Sequence, residues 1–228
     1  MYAARSGARP APRARARGRA RHRHRPRALL ESRRADRVRL APDHDHFCND
    51  GYVETWPEFA RMYELRIGRD AIALGERVAQ RKALLEARIV ESAATLIHGD
   101  LRGDNLLLDP TNGDIVLLDW QLSSRSLGAI DPARLLGGSE PQAERRGHQL
   151  EIFSAWHQAL IAGGLRNYSA DAGLDDFRLA ALYCLFIPVK MFAMVSPQPS
   201  GRVGRLVDCQ AERFFAAALE LDAGRMLP

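Results

Sequence analysis

Lysine is nearly absent: the 228-residue chain has two, Lys82 and Lys190. Cysteine is scarce too, with Cys48, Cys184 and Cys209 odd in number and widely spaced. That excludes a disulfide framework and a paired-cysteine metal site, and predicts a reducing, cytoplasmic setting. The longest apolar run, Leu179 to Val195, contains Pro188 and Lys190 and follows Arg178. These residues predict a buried helix rather than a membrane span, so no membrane partner is expected. No apolar segment of a signal peptide follows the charged N-terminus, and no internal repeat is visible.

Apolar residues make up 46% of the chain, enough for a core. Charge is divided unevenly. Residues 1–40 hold 14 Arg against Glu31 and Asp36, a net of +12, so the other 188 residues carry −7 within the chain's total of +5. The run ARARGRARHRHRPR has almost nothing to bury and repels itself, which predicts a disordered tail over 1–40 and a folded part over 41–228. Two readings of the tail stay open. Clustered Arg neutralises phosphate, so it is an arm for nucleic acid or anionic surfaces, or it is a stretch without selected function, including a mis-assigned start. Residues 41–50 gather His44, Asp45, His46, Cys48 and Asp50, but their spacing matches no common zinc pattern, and alternate residues of an extended segment point apart.

Order is expected from about Trp56. Pro57–Leu65 and Asp70–Ala93 read as helices, the second from Ile72, Leu74, Val78, Leu84, Leu85 and Ile89, with Asp70 as N-cap. The period then changes. Thr95–His98 reads as a strand. Leu106–Leu108 and Ile115–Leu118 are aliphatic runs joined by Asp109-Pro-Thr-Asn-Gly-Asp114, a β-hairpin signal. Everything beyond reads as helical: a short helix capped by Asp131-Pro132 and ended by Gly137-Gly138, then Pro141–Ala162, Asp175–Val195 bent at Pro188, and Val203–Leu221. The fold class expected is α+β, mostly helical, with one small hairpin.

Pairing the hairpin strands brings Asn105, before the first, near Asp119, after the second. Asp100 lies on the loop leading in. Two carboxylates and an amide thus meet at a strand end, oxygen ligands suited to a hard cation such as magnesium. His98-Gly-Asp-Leu-Arg-Gly-Asp-Asn105 also fits the loop H-R-D-L-x-x-x-N of phosphoryl-transfer enzymes, with Gly99 in place of Arg. In that chemistry the first Asp accepts or orients the attacking hydroxyl, while the Asn and a later Asp hold magnesium against the phosphates. A metal-dependent hydrolase would need further His or Asp ligands near the hairpin, and the sequence offers none at suitable spacing.

HGDLRGDN followed by IVLLDWQ resembles the aminoglycoside phosphotransferase and choline kinase superfamily, which has His-Gly-Asp where protein kinases have His-Arg-Asp. AIDPARLLGGS and DDFRLAALYCLFIPV are similar to its ecdysteroid-kinase-like branch, although Pro132 stands where that branch usually has Leu. The resemblance runs from about Trp56 to Leu219. It implies a kinase-like C-terminal lobe, Asp100 as catalytic base, Asn105 and Asp119 as magnesium and nucleotide ligands, and His98 as a structural member of the catalytic loop. Asp131 becomes a helix cap. It also implies transfer of the γ-phosphate of ATP, or sometimes GTP, to a hydroxyl of a small molecule.

The resemblance asks for a smaller N-terminal lobe with a phosphate-holding Lys on a strand and a glycine-rich loop. Lys82 lies on a helix and Lys190 after the catalytic loop, and no glycine-rich strand pair precedes Asp100. The expectation is a large lobe alone, truncated and weak or inactive in ATP chemistry. The alternative is a non-enzymatic kinase-like binding module with a basic nucleic-acid arm. Substrate and oligomeric state are not encoded legibly: Glu140, Glu144, Glu151, Tyr168, Asp171, Asp175 and Asp176 form either a substrate pocket or a solvated face.

Overall fold

A computed structural model describes residues 51–139, 148–195 and 201–227. The Arg-rich tail, the 41–50 cluster, Glu140, Glu144 and the start of the helix expected from Pro141 lie outside the described residues. Among the described residues the order is α1 (Tyr52–Ile67), α2 (Arg69–Gln80), α3 (Lys82–Glu91), β1 (Ala94–Ile97), β2 (Leu106–Leu108), β3 (Ile115–Leu117), β4 (Ser124–Leu127) and α4 (Ile130–Ser139). Then come α5 (Gln149–Ala162), α6 (Ala170–Cys184), α7 (Phe186–Val195) and α8 (Gly201–Glu220). The architecture is mostly helical, as expected, but it holds two two-stranded sheets where one hairpin was expected.

The first helix begins five residues before Pro57. Tyr52, Trp56, Phe59 and Tyr63 recur on one face and are all buried. Tyr52 and Trp56 stack, Tyr52 meets Phe186 edge-on, and Trp56 and Phe59 lie against Phe215. A proline inside a helix costs about 3 kcal/mol. Burying an aromatic stripe of this size offsets that cost. The helix expected over Asp70–Ala93 is two helices broken at Arg81, and Gly68 rather than Asp70 holds the N-cap position.

The apolar run expected to be buried is buried from Leu179 to Val189 and at Phe192, while Met194 near its end is exposed. Helices α6 and α7 form the middle of the core, with Phe177, Leu182, Leu185, Phe186, Val189 and Phe192 almost fully enclosed. The segment Ala170–Val195 has the length and hydropathy of a membrane span, yet most of it is covered by the protein itself. It breaks at Leu185, three residues before Pro188, because the proline takes the third position of the second helix, where a missing N–H costs little. Helix α4 packs between α6 and α8. It runs through Gly137 and Gly138 to Ser139, so the glycines do not end it. Gly137 is needed instead for approach: a Cβ there would lie 2.2 Å from Phe214 Cδ1.

Two ladders position the rest. Strands β2 and β3 pair antiparallel, with Leu106 opposite Leu117 and Leu108 opposite Ile115. Asp109 accepts from the Thr111 amide and hydroxyl, and Gly113 takes φ 74° to close the turn. The second ladder was not expected. Strand β4, in the part read as helical from sequence, pairs antiparallel with β1 from Ala94–Leu127 to Ile97–Ser124. Residues 98–123 therefore form one excursion that leaves and re-enters the core at adjacent strand ends, and α4 follows at once.

Candidate active site

The excursion gathers every residue expected to carry chemistry. His98 follows β1 and is 2% exposed. Its backbone amide donates to Asp131 Oδ2 at 2.7 Å and that of Gly99 to Asp131 Oδ1 at 2.9 Å. Asp131 thus caps the loop with both oxygens. This corrects its expected role as a cap of its own helix, because α4 already begins at Ile130. Burial pushes the Asp131 carboxyl up, and the two backbone donors and Arg134 pull it partly back.

The imidazole links two parts of the site. His98 Nε2 lies 2.7 Å from the Leu118 carbonyl oxygen, and Nδ1 accepts the Asp100 amide at 3.2 Å. A carbonyl only accepts, so the tautomer with hydrogen on Nε2 meets both bonds. Trp120 lies against the His98 ring, centroids 4.8 Å apart, and its Nε1 donates to Leu117 O. Gly99 has a backbone reason to be glycine: its φ is 80°, and a Cβ would sit 2.3 Å from Leu122 O.

Asp100 is 8% exposed. Its Oδ1 accepts from Arg134 Nε at 2.9 Å and from Arg134 Nη2. Asn105 Nδ2 donates to the Asp100 carbonyl at 2.8 Å and to Oδ2 at 3.2 Å. Arg102 Nε stands 3.7 Å from Asp100 Oδ2, and its Nη1 3.5 Å from Asp104. Asn105 closes a 3-10 turn and is itself buried. Both its N–H bonds go to Asp100, so the acceptor of this side chain is its amide oxygen.

Across the hairpin, the Leu118 amide donates to Asn105 O at 2.9 Å, so Asp119 stands one residue beyond Asn105's partner. Asp119 is exposed and left-handed, φ 60° and ψ 63°. Non-glycine residues rarely adopt that region, and Asp tolerates it better than most. Among the described residues, no group of three or more His, Cys, Asp or Glu side chains converges as a metal cage. One amide oxygen and one carboxylate still fit magnesium, which takes few protein ligands and completes its shell with water and phosphate.

Two polar residues, one of them charged, escaped sequence reading. Arg134, 34 residues from Asp100, and Ser139, whose Oγ accepts from Gly103 N at 2.8 Å, both come from α4. Their contacts are tertiary, and no local pattern announces them. Of the residues read as a substrate pocket or solvated face, Glu151 and Asp171 are exposed. Tyr168 donates to Asp176 at 2.7 Å, and Asp175 pairs with Arg178 at 3.1 Å. Those three serve α6 and its neighbours, not the loop.

The model of the phosphotransferase enzyme family (APH) matches residues 3–170, and the chain belongs to that family. The match contains the whole excursion. It also reaches upstream through the arginine-rich stretch and stops at the start of α6, whereas the motifs pointed to a span from about Trp56 to Leu219. No curated protein matches the chain.

Proposed function

We propose that the chain is an ATP-dependent phosphotransferase that transfers a γ-phosphate to a hydroxyl of a small molecule, with GTP as a second candidate donor. The observation that carries this reading is one convergence. The pair β1–β4 holds a loop in which Asp100, the Asn105 amide and Asp119 flank the same hairpin end. In the reaction the substrate oxygen bonds to the γ-phosphorus as the bond to the bridging oxygen breaks. The hydroxyl proton passes to Asp100, which orients that hydroxyl beforehand. Asn105 Oδ1 and the Asp119 carboxylate are the residues to hold magnesium, which offsets charge on the phosphates. His98 keeps Asp100 and Leu118 in register.

The apolar hairpin supports a nucleotide at this end. Leu107 and Val116 are cross-strand partners on one face of the hairpin, near its Asn105–Leu118 end, and both are exposed, an apolar pair suited to the flat face of a base. We further assign the described residues to the larger lobe of a two-lobed kinase fold. Lys82 is tied to Glu86 at 2.6 Å on α3, and Lys190 lies on α7, so neither serves as a phosphate clamp.

The test is a thermal-stability titration of the full chain with Mg-ATP and, separately, Mg-GTP. Binding raises the midpoint at millimolar nucleotide. Asp119→Ala removes the shift. An unmoved midpoint for the unaltered chain with both nucleotides sinks the reading.

A further inference from the structure

We infer that Arg134 is a positioning residue for Asp100: its guanidinium occupies one carboxylate oxygen and leaves the other aimed at the acceptor hydroxyl. This rests on the phosphotransferase reading above. The two groups are equally buried, each 8% exposed, and come from α4 and from the loop after β1. Two Arg134 nitrogens fall on Oδ1, Nε at 2.9 Å with Nη2 alongside. Two donors fill that oxygen's acceptor positions. Among the described residues Oδ2 takes only the longer Asn105 bond at 3.2 Å, and Arg102 at 3.7 Å is beyond hydrogen-bond reach. The acceptor capacity of Asp100 therefore lies on Oδ2, on the side shared with Asn105.

The support behind Arg134 is the helix α4. Asp131 stands three residues earlier on α4, so one helix face fixes the loop backbone through Asp131 and the carboxylate through Arg134. Gly137, one turn further, lets α4 seat on Phe214 of α8. A planar fork sets the rotation of a carboxylate; a lysine ammonium supplies charge without that constraint. Displacing a reacting group by about 1 Å costs on the order of 100-fold in rate.

The experiment measures Mg-ATP hydrolysis by the full chain, with water as acceptor, because water needs no identified substrate. Arg134→Met is expected to lose about 100-fold in kcat with KM for Mg-ATP changed less than about twofold. Arg134→Lys, which keeps the charge and is the variant to read if Arg134→Met does not fold, should fall between. Asp100→Asn combined with Arg134→Met should turn over no more slowly than Asp100→Asn alone, since Arg134 acts through Asp100. Wild-type kcat in Arg134→Lys and in any folded Arg134→Met overturns the inference, as does a double variant whose losses multiply. A wild-type chain that does not turn over Mg-ATP at all overturns the phosphotransferase reading and this inference together.

Discussion

His98 Nε2 donates to the Leu118 carbonyl at 2.7 Å while Nδ1 accepts from the Asp100 amide, so one imidazole spans the gap between the loop and the strand that carries Asp119. The ring is buried, and both its partners are backbone groups of the site. Replacing it with alanine leaves a carbonyl and an amide without partners, and a cavity beside Trp120. An unsatisfied buried group costs about 1–3 kcal/mol. We expect His98→Ala to lower stability by about 2 kcal/mol or more, read as the urea midpoint at constant slope. It should also lose any midpoint shift with Mg-ATP. A variant with the wild-type midpoint would show that His98 is not holding the two segments together.

Much of this excursion was legible from residues alone, and the legible part has a common cause. The hairpin announces itself because Asp109-Pro110 and Asn112-Gly113 are turn formers between two aliphatic triplets, and each acts within a few residues. Asp100, Asn105 and Asp119 follow from that turn. Strand β4 was not legible. Ser124, Arg125 and Ser126 have no strand signature, and they are extended because β1 presents an edge that must be paired. Asp131 was legible as an acid before a proline, but its partners His98 and Gly99 lie more than 30 residues upstream. Arg134 reads locally as an ordinary helix residue and becomes special only when α4 packs over the loop. Pro57 misplaced the start of α1 for the same reason: the aromatic stripe acts through Phe186 and Phe215, far along the chain.

Asp131 gives the site a pH signature. Its carboxyl is held above the ordinary range, first by burial, against the pull of the His98 and Gly99 amides. Below the unfolded value both states carry the proton. Between the unfolded and the raised folded value only the folded state binds it, so stability falls as pH rises. Above the folded value the loss is complete and flat. Asp131→Asn has no proton to bind. The stability of wild type relative to Asp131→Asn should therefore decline as pH rises from about 4, then level off. Paired denaturation curves across that range check the sign, and a difference that grows with pH would contradict the burial argument. Asn also offers one acceptor oxygen for two amides, so the variant should be weaker at low pH by about 1 kcal/mol.

Gly99 is expected to tolerate no side chain. Alanine at φ 80° costs about 1–2 kcal/mol by itself. Its Cβ would also press within 2.3 Å of Leu122 O, which is backbone and yields only by moving the 3-10 turn after Asp119. The combined cost should be about 2 kcal/mol or more, a drop of roughly 5 °C in Tm for a chain of this size. Gly113→Ala is the control. It shares the positive φ but has open space around it, so it should lose only the conformational part. Equal drops in the two variants would assign the whole effect to φ and none to Leu122.

Cys184 reports on the support under α4. The thiol is fully enclosed at the end of α6, and burial pushes it up to about 12, with Arg134 and Asp131 near enough to contribute in opposite directions. Cys209 on α8 is partly exposed. At pH 8 a thiol at about 12 is ionised on the order of one part in 10⁴, against roughly a quarter for an ordinary cysteine, so direct alkylation of Cys184 should be slower by on the order of 10³-fold. Burial slows it further, leaving transient opening of the α4–α6 packing as the route to modification. Timed iodoacetamide labelling with peptide mass spectrometry should therefore find Cys209 modified early and Cys184 only under denaturant. Arg134→Met, which leaves Asp100 buried without its guanidinium, should speed Cys184 labelling while Cys209 keeps its rate. Fast labelling of Cys184 in the native chain would mean that α4 is not the rigid frame on which Asp131 and Arg134 depend.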